Sequence, residues 1–205
     1  MNRKKVVVTL SVLVAMAAGI VGTRFVSDKI YPPIQRMSDA AKTRGNPRAR
    51  FKIVEYTDFQ CPSCANGAKE LDVIMKSRPD DFFLEYRSYP LSMRHQHAFK
   101  AAILAECAAR QGKFWPFHDL VFQRQKEWAA KADAEDDFQK IAAEAGLDIP
   151  ALNACRQDPT VAQVIQHAQE EGDSRDVQAT PTYFLNGKIV VGIKRLQEVL
   201  NSAAK

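Results

Sequence analysis

The sequence predicts a mixed α/β domain: a β-α-β unit, a helical block, then a β-β-α unit, all preceded by a signal or anchor segment. Three observations predict it. A run that reads as a buried strand, 51–56, leads into Cys61-Pro62-Ser63-Cys64 and a helical stripe. Residues 95–176 carry helical periodicity punctuated by Gly112 and Gly146, in the manner of helix C-caps. Two short apolar runs, 182–185 and 188–191, are separated by Asn186-Gly187 alone, a hairpin signal because type I′ turns need positive φ at both central positions.

Taken in order, Arg3, Lys4 and Lys5 form a basic tip, and residues 6–22 follow without a charge. This matches a signal peptide with Ala15-Met16-Ala17 as cleavage site. It also matches a short membrane anchor, since 17 residues is at the lower limit for spanning, and the uncharged continuation past Ala17 favours the anchor. Either way the basic tip predicts a cytoplasmic N-terminus and an exported remainder. Residues 24–47 are polar, basic and contain Tyr31-Pro32-Pro33, which reads as a linker, with the folded domain at 48–205. Strand 51–56 precedes Pro62, which suits the first helical position because proline lacks only an already orphaned N–H. Cys64, Ala68, Leu71 and Met75 then recur at helical spacing, so Cys64 heads a buried face while Cys61 sits reachable at the cap. A second strand is expected at 82–87. A helical stretch is expected from about 95 to 176, with Phe99, Ile103 and Cys107 on one stripe and further helices at 114–125, 133–145, 148–156 and 161–171; a last helix is expected at 194–202.

The composition, 205 residues and 46% hydrophobic, suffices for one full core plus appendages. The net charge of +5 is unevenly spread: residues 1–50 carry +8 and residues 51–205 carry −3. The mildly acidic folded part argues against nucleic acid as a partner. In an exported protein disulfides persist, and four cysteines divide naturally into Cys61/Cys64 and Cys107/Cys155.

The element order, together with three blocks of residues, resembles the DsbA-like family of extracytoplasmic thiol-disulfide oxidoreductases. The blocks are Glu55-Tyr56-Thr57-Asp58-Phe59-Gln60-Cys61-Pro62-Ser63-Cys64, Gly112-Lys113-Phe114-Trp115 with His118-Asp119, and Ala179-Thr180-Pro181-Thr182-Tyr183-Phe184-Leu185-Asn186-Gly187. The resemblance spans about 48–203 and implies a thioredoxin fold with a helical insertion at about 95–176. It also implies a cis Thr180-Pro181 bond lying against the cysteines, a place where proline offers the sulfur no N–H and the Thr180 backbone can pair with an extended substrate.

Disulfide exchange needs a thiolate that attacks a disulfide sulfur through a mixed disulfide. Cys61 at a helix N-terminus has unpaired N–H groups and the positive end of the dipole to stabilise one, so its pKa should lie below the free value of about 8.5. Buried Cys64 would resolve the mixed disulfide. The dipeptide Pro62-Ser63 offers a hydroxyl but no histidine, which predicts an intermediate-to-oxidising couple. Glu55 alternates with Phe51 and Ile53, so it should be buried with a raised pKa, suited to accept the Cys64 proton; the alternative is a surface-facing strand end. The resembling family has an acidic residue in the matching place.

Cys107 and Cys155 have two readings, a structural disulfide across the insertion or two buried thiols. His95-Gln96-His97 does not read as a metal site, since positions two apart on a helix diverge, and Cys61/Cys64 lacks a second ligand pair for zinc. His118, Trp115 and Trp128 read as packing or capping residues, and 126–137 as a solvated charged face. No metal and no cofactor beyond the redox-active dithiol is called for. The functional expectation is an exported or membrane-tethered oxidoreductase that donates the Cys61–Cys64 disulfide to cysteine-containing exported proteins and is restored by a membrane redox partner. Two alternatives stand beside it. One is a reductase or isomerase kept reduced by a membrane donor. The other is a non-catalytic chaperone or metal-binding module on the same scaffold.

Overall fold

The computed structural model describes residues 40–203. The signal or anchor segment and most of the linker expected from the sequence lie outside these residues. Among the described residues no helix is long and apolar enough to cross a membrane.

A short 3-10 turn, Ala40–Lys42, runs into strand β1 (Thr43–Gly45). Strand β2 (Phe51–Thr57), helix α1 (Pro62–Ser77) and strand β3 (Phe82–Ser88) form the first unit. Six helices follow: α2 (Ala98–Arg110), α3 (Phe114–Gln123), α4 (Gln125–Trp128), α5 (Glu135–Glu144), α6 (Ile149–Cys155) and α7 (Pro159–Ser174). Strands β4 (Thr182–Leu185) and β5 (Lys188–Val191) and helix α8 (Ile193–Ala203) close the chain. The sheet order is β1-β3-β2-β4-β5, with β2 and β3 parallel and the other pairs antiparallel. This is the thioredoxin fold with a helical insertion between β3 and β4.

The helices begin where local chemistry lets them. Asp148 and Asp158 cap α6 and α7, each carboxylate accepting a backbone N–H inside the first turn, and proline follows in each first turn. Asn186 and Gly187 join β4 to β5 with φ of 48° and 83°, the backbone a two-residue hairpin requires.

β2 lies at the centre of the sheet, and its alternation sorts the two faces. Phe51 and Ile53 pack with Leu71 and Met75 of α1 and Leu196 and Leu200 of α8. Tyr56 faces the opposite side, with Tyr89, Val177 and Phe184. A third cluster joins Phe59, Cys61, Cys64 and Tyr86 to the insertion through Phe114, Phe117, Phe122, Trp128 and Phe138. The cysteine pair therefore sits where the sheet, α1 and the insertion meet.

Some details differ from the sequence reading. The stretch read as linker to residue 47 contributes an edge strand: β1 pairs with β3, Arg44 donates to Asp119 and Asp72, and buried Lys42 pairs with buried Glu106 at 2.7 Å. Three residues are too few to show alternation, so the strand is marked by its pairing with β3 and by long-range ion pairs. The charged stretch 126–137 is also less solvated than read, since Trp128 is fully buried and Asp137 is buried against Lys131.

Candidate active site

Cys61 occupies the N-cap of α1 in extended backbone (φ −73°, ψ 122°), with Pro62 at the first turn. Its carbonyl accepts from the N–H of Cys64 at 3.0 Å and of Ala65 at 3.2 Å, which closes the first turn. The two sulfurs live in different surroundings. Cys61 is 8% exposed and Cys64 is 0% exposed. Cys61 is thus more covered than its cap position suggested, because the Thr180-Pro181 loop closes over it: Cys61 Sγ lies 3.5 Å from the Thr180 carbonyl, and the Thr180-Pro181 bond is cis.

The thiol pKa values are driven apart. A hydrogen bond from the Cys64 side chain, partly opposed by burial, brings Cys61 down to about 5, helped by the Thr180 side chain and the N–H groups of Cys64 and Ser63. Burial pushes Cys64 well above the usual thiol range, and negative charge on Cys61 adds to the rise. One sulfur is a thiolate at neutral pH while its neighbour holds a proton. The Asp58 N–H points at Cys64 Sγ from 3.5 Å.

Glu55 is 1% exposed, in register with Tyr86 on one side and Tyr183 on the other. Burial raises its carboxyl to about 7, against a smaller opposing effect of the Tyr183 hydroxyl. Tyr183 in turn is pushed well above its ordinary range by burial and by charge on both Glu55 and Cys64, which places it electrostatically between them. Gly67 makes this approach feasible, because a Cβ there would stand 2.5 Å from the Tyr183 hydroxyl and 3.3 Å from Pro181 Cγ.

The loop before Cys61 is fixed by side chains that periodicity does not reveal. The buried Asp58 carboxylate accepts from the N–H of Gln60 (2.7 Å) and Leu91 (2.8 Å), and pairs with His95 Nδ1 at 2.7 Å. Gln60 Oε1 accepts from the His97 N–H at 2.6 Å. Gln125 Nε2 donates to the carbonyls of Phe59 (2.7 Å) and Cys61 (3.0 Å). The two histidines thus do separate structural jobs: His97 Nε2 meets the Lys131 carbonyl at 2.8 Å. The local signal was a polar residue, Gln60 or Gln125, amid aromatic neighbours destined for the core. His118 is buried among Phe59, Tyr86, Phe114, Trp115 and Phe122, with Nδ1 2.8 Å from Asp119, and burial lowers its pKa. Cys107 of α2 and Cys155 of α6 are joined by a disulfide with Cα atoms 5.8 Å apart, inside the insertion. Among the described residues no cluster of three or more His, Cys, Asp or Glu is placed to hold a metal ion.

Comparison with known proteins agrees with this geometry. Residues 38–202 match the sequence model of a thioredoxin family. A thioredoxin-like oxidoreductase from Silicibacter pomeroyi DSS-3 superposes with a TM-score of 0.67 at 26% identity, over 82% of this chain and 95% of that one. Wolbachia pipientis alpha-DsbA1 (TM-score 0.68, 24% identity, 78% of this chain and 87% of that one) and oxidised BdbD from Bacillus subtilis (0.69, 18%, 80% and 92%) share the fold. Among curated proteins the chain is 35% identical over 167 residues to Na(+)/H(+) antiporter NhaA 1 of Mycolicibacterium gilvum, and 33% identical over 161 residues to NhaA of Herminiimonas arsenicoxydans. The matches take in 78% of this chain but about a quarter of those longer proteins, 25% and 24%. With its matched length and its sheet order, the chain belongs to the thioredoxin family, and its Cys61-Pro62-Ser63-Cys64 helix cap and cis-Pro181 sit on the fold it shares with alpha-DsbA1 and BdbD.

Proposed function

We propose that this protein catalyses thiol-disulfide exchange outside the cytosol, donating the Cys61–Cys64 disulfide to cysteine-containing exported polypeptides and recovering it from a membrane redox partner. The observation that carries the reading is the separation of the two thiols: Cys61 held down to about 5, Cys64 buried and held protonated.

In the donating direction a substrate thiolate attacks Cys61 Sγ. The Cys61–Cys64 bond breaks and a substrate–Cys61 bond forms. The electron pair leaves on Cys64, whose buried sulfur takes a proton from the Glu55 carboxyl. A second substrate thiolate then attacks the substrate sulfur of the mixed disulfide and expels Cys61 as a thiolate, a good leaving group because its pKa is low. The substrate is oxidised by two electrons and the protein reduced by two. Return to the disulfide begins with Cys61 thiolate attacking the partner's disulfide. Ionised Glu55, with a pKa of about 7, then takes the Cys64 proton so that Cys64 can attack Cys61 and release the partner. Thr180 offers its backbone beside Cys61 for an extended substrate, and Pro181 adds no N–H that would compete for the sulfur. The basic tip and uncharged run at residues 3–22 support export, as signal or anchor.

Equilibration of the Cys61–Cys64 couple in the full chain against glutathione tests the direction. A potential near about −120 mV is expected of a donor, and one near about −270 mV would turn the reading to a reductase. Stoichiometric zinc with no exchange activity would turn it to a metal-binding module.

A further inference from the structure

Next to the cysteine pair, α1 and the α3–α4 corner enclose a groove of about 800 Å³. It lies on the flank of α1 away from the cis-Pro181 loop. At about 100° per residue, Ala65, Lys69 and Lys76 stand roughly opposite Gly67, the residue that touches Pro181 and Tyr183. The groove begins at Pro62, beside Cys61, and its wall includes Gln125, whose amide holds the Cys61 carbonyl. Its floor is apolar, formed by Ala65, Ala68 and Phe122.

The charges around this floor do not cancel. Both lining carboxylates are already engaged. Asp72 pairs with Lys76 at 2.7 Å and with Arg44 at 3.5 Å; Asp119 pairs with Arg44 at 2.9 Å and His118 at 2.8 Å. Lys69 and Lys126 are exposed on the rim, and among the described residues no carboxylate pairs with either. A positive rim on a domain whose residues 51–205 sum to −3 is a local departure from the protein's own charge.

We propose that this groove docks the segment flanking the reactive cysteine of a protein partner, and that it selects an extended acidic segment with an apolar side chain on the alanine and phenylalanine floor. The inference rests on the exchange reading above. Lys69 is eight residues along α1 from Cys61, about 12 Å at 1.5 Å per residue. An extended chain covers that in about four residues at 3.3 Å each. The carboxylates therefore belong three to five residues from the partner's reactive cysteine.

The test uses the oxidised full chain and three dithiol peptides with one apolar residue and a Glu-Glu, Gln-Gln or Lys-Lys pair four residues from the reactive cysteine, placed on either side. At low salt, in single-turnover mixing, the glutamate peptide is expected to exceed the glutamine peptide about fivefold in the second-order rate constant for reducing the Cys61–Cys64 disulfide, through its apparent Kd, with the lysine peptide slowest. The order should collapse at about 0.5 M salt, where screening acts within a few ångströms. K69E/K126E should reverse the order, which also shows that the variant is folded. Equal rate constants for the three peptides, or an order the charge reversal leaves as it was, overturns the proposal. So does a dimer in sedimentation that K69E/K126E dissolves, since the groove would then serve a second copy. Failure of neutral dithiothreitol to reduce the Cys61–Cys64 disulfide would instead defeat the exchange reading itself.

Discussion

Cys61 shows how little charge is needed to activate a thiol. The leading effects that bring it down to about 5 are a neighbouring thiol, a threonine side chain and two backbone N–H groups. Thr180→Ala should therefore raise the Cys61 pKa, read from thiolate absorbance at 240 nm, while the fold is unchanged by circular dichroism. Cys64→Ser should trap mixed disulfides on Cys61, and Cys61→Ser should trap none. Glu55 has the opposite sign. Its folded pKa of about 7 lies above the ordinary carboxyl value of 4.5, so the folded state keeps a proton that the unfolded chain releases. Stability should then fall as pH rises from about 4.5 to 7, by up to about 3 kcal/mol, and level off above. Glu55→Gln should flatten that slope in urea melts of the oxidised protein while slowing exchange steps that move the Cys64 proton. An unchanged slope would place the titration elsewhere. Burial of Glu55 could be read from strand alternation. Its electrostatic link to Cys64 through Tyr183 could not, because it depends on which strand lies beside β2.

At the scale of elements, one long-range tie closes the insertion on itself and another fastens it to the segment before β1. The Cys107–Cys155 disulfide joins α2 to α6 across 48 residues, and the Lys42–Glu106 pair fastens the turn before β1 to α2 with both side chains 3% exposed. Removing both cysteines as alanines should cost about 2–4 kcal/mol by chain entropy and leave Cys61 exchange in place, checked by urea titration with a dithiothreitol assay beside it. Glu106→Gln leaves Lys42 buried and uncompensated, so a larger loss of about 3–5 kcal/mol is expected. The strands and helices themselves were legible wherever a pattern ran for a turn or more. The Asn186-Gly187 hairpin and the α1 stripe of Cys64, Leu71 and Met75 lie where spacing put them. β1 was not legible, because its identity as a strand comes from β3 and from Arg44's ion pairs, neither local in sequence. The break between α3 and α4 at Arg124 was also missed, since the aromatic pattern runs through it.

For the whole molecule, redox state and stability form one thermodynamic cycle. Whatever stabilises the reduced protein over the oxidised one also makes the disulfide more oxidising, by the same free energy. Here the stabilising group is Cys61 as thiolate, and its pH window follows from the shift. In the unfolded reduced chain a thiol ionises near about 8.5, and in the folded one Cys61 ionises at about 5. Between these values the unfolded state binds more protons, so the stability of the reduced form rises with pH from about 5 to 8.5 and is lost again as pH falls through 5. The oxidised form has no such thiol. Glu55 titrates in both forms, so its contribution largely cancels in the difference. Urea melts of the reduced and oxidised protein at pH 4.5 and pH 8 should show the reduced form ahead at pH 8 and most of that lead gone at pH 4.5. A lead that is equal at both pH values would mean that the thiolate is not what stabilises the reduced state. The donating direction would then lose its physical basis, even if Cys61 proved reactive.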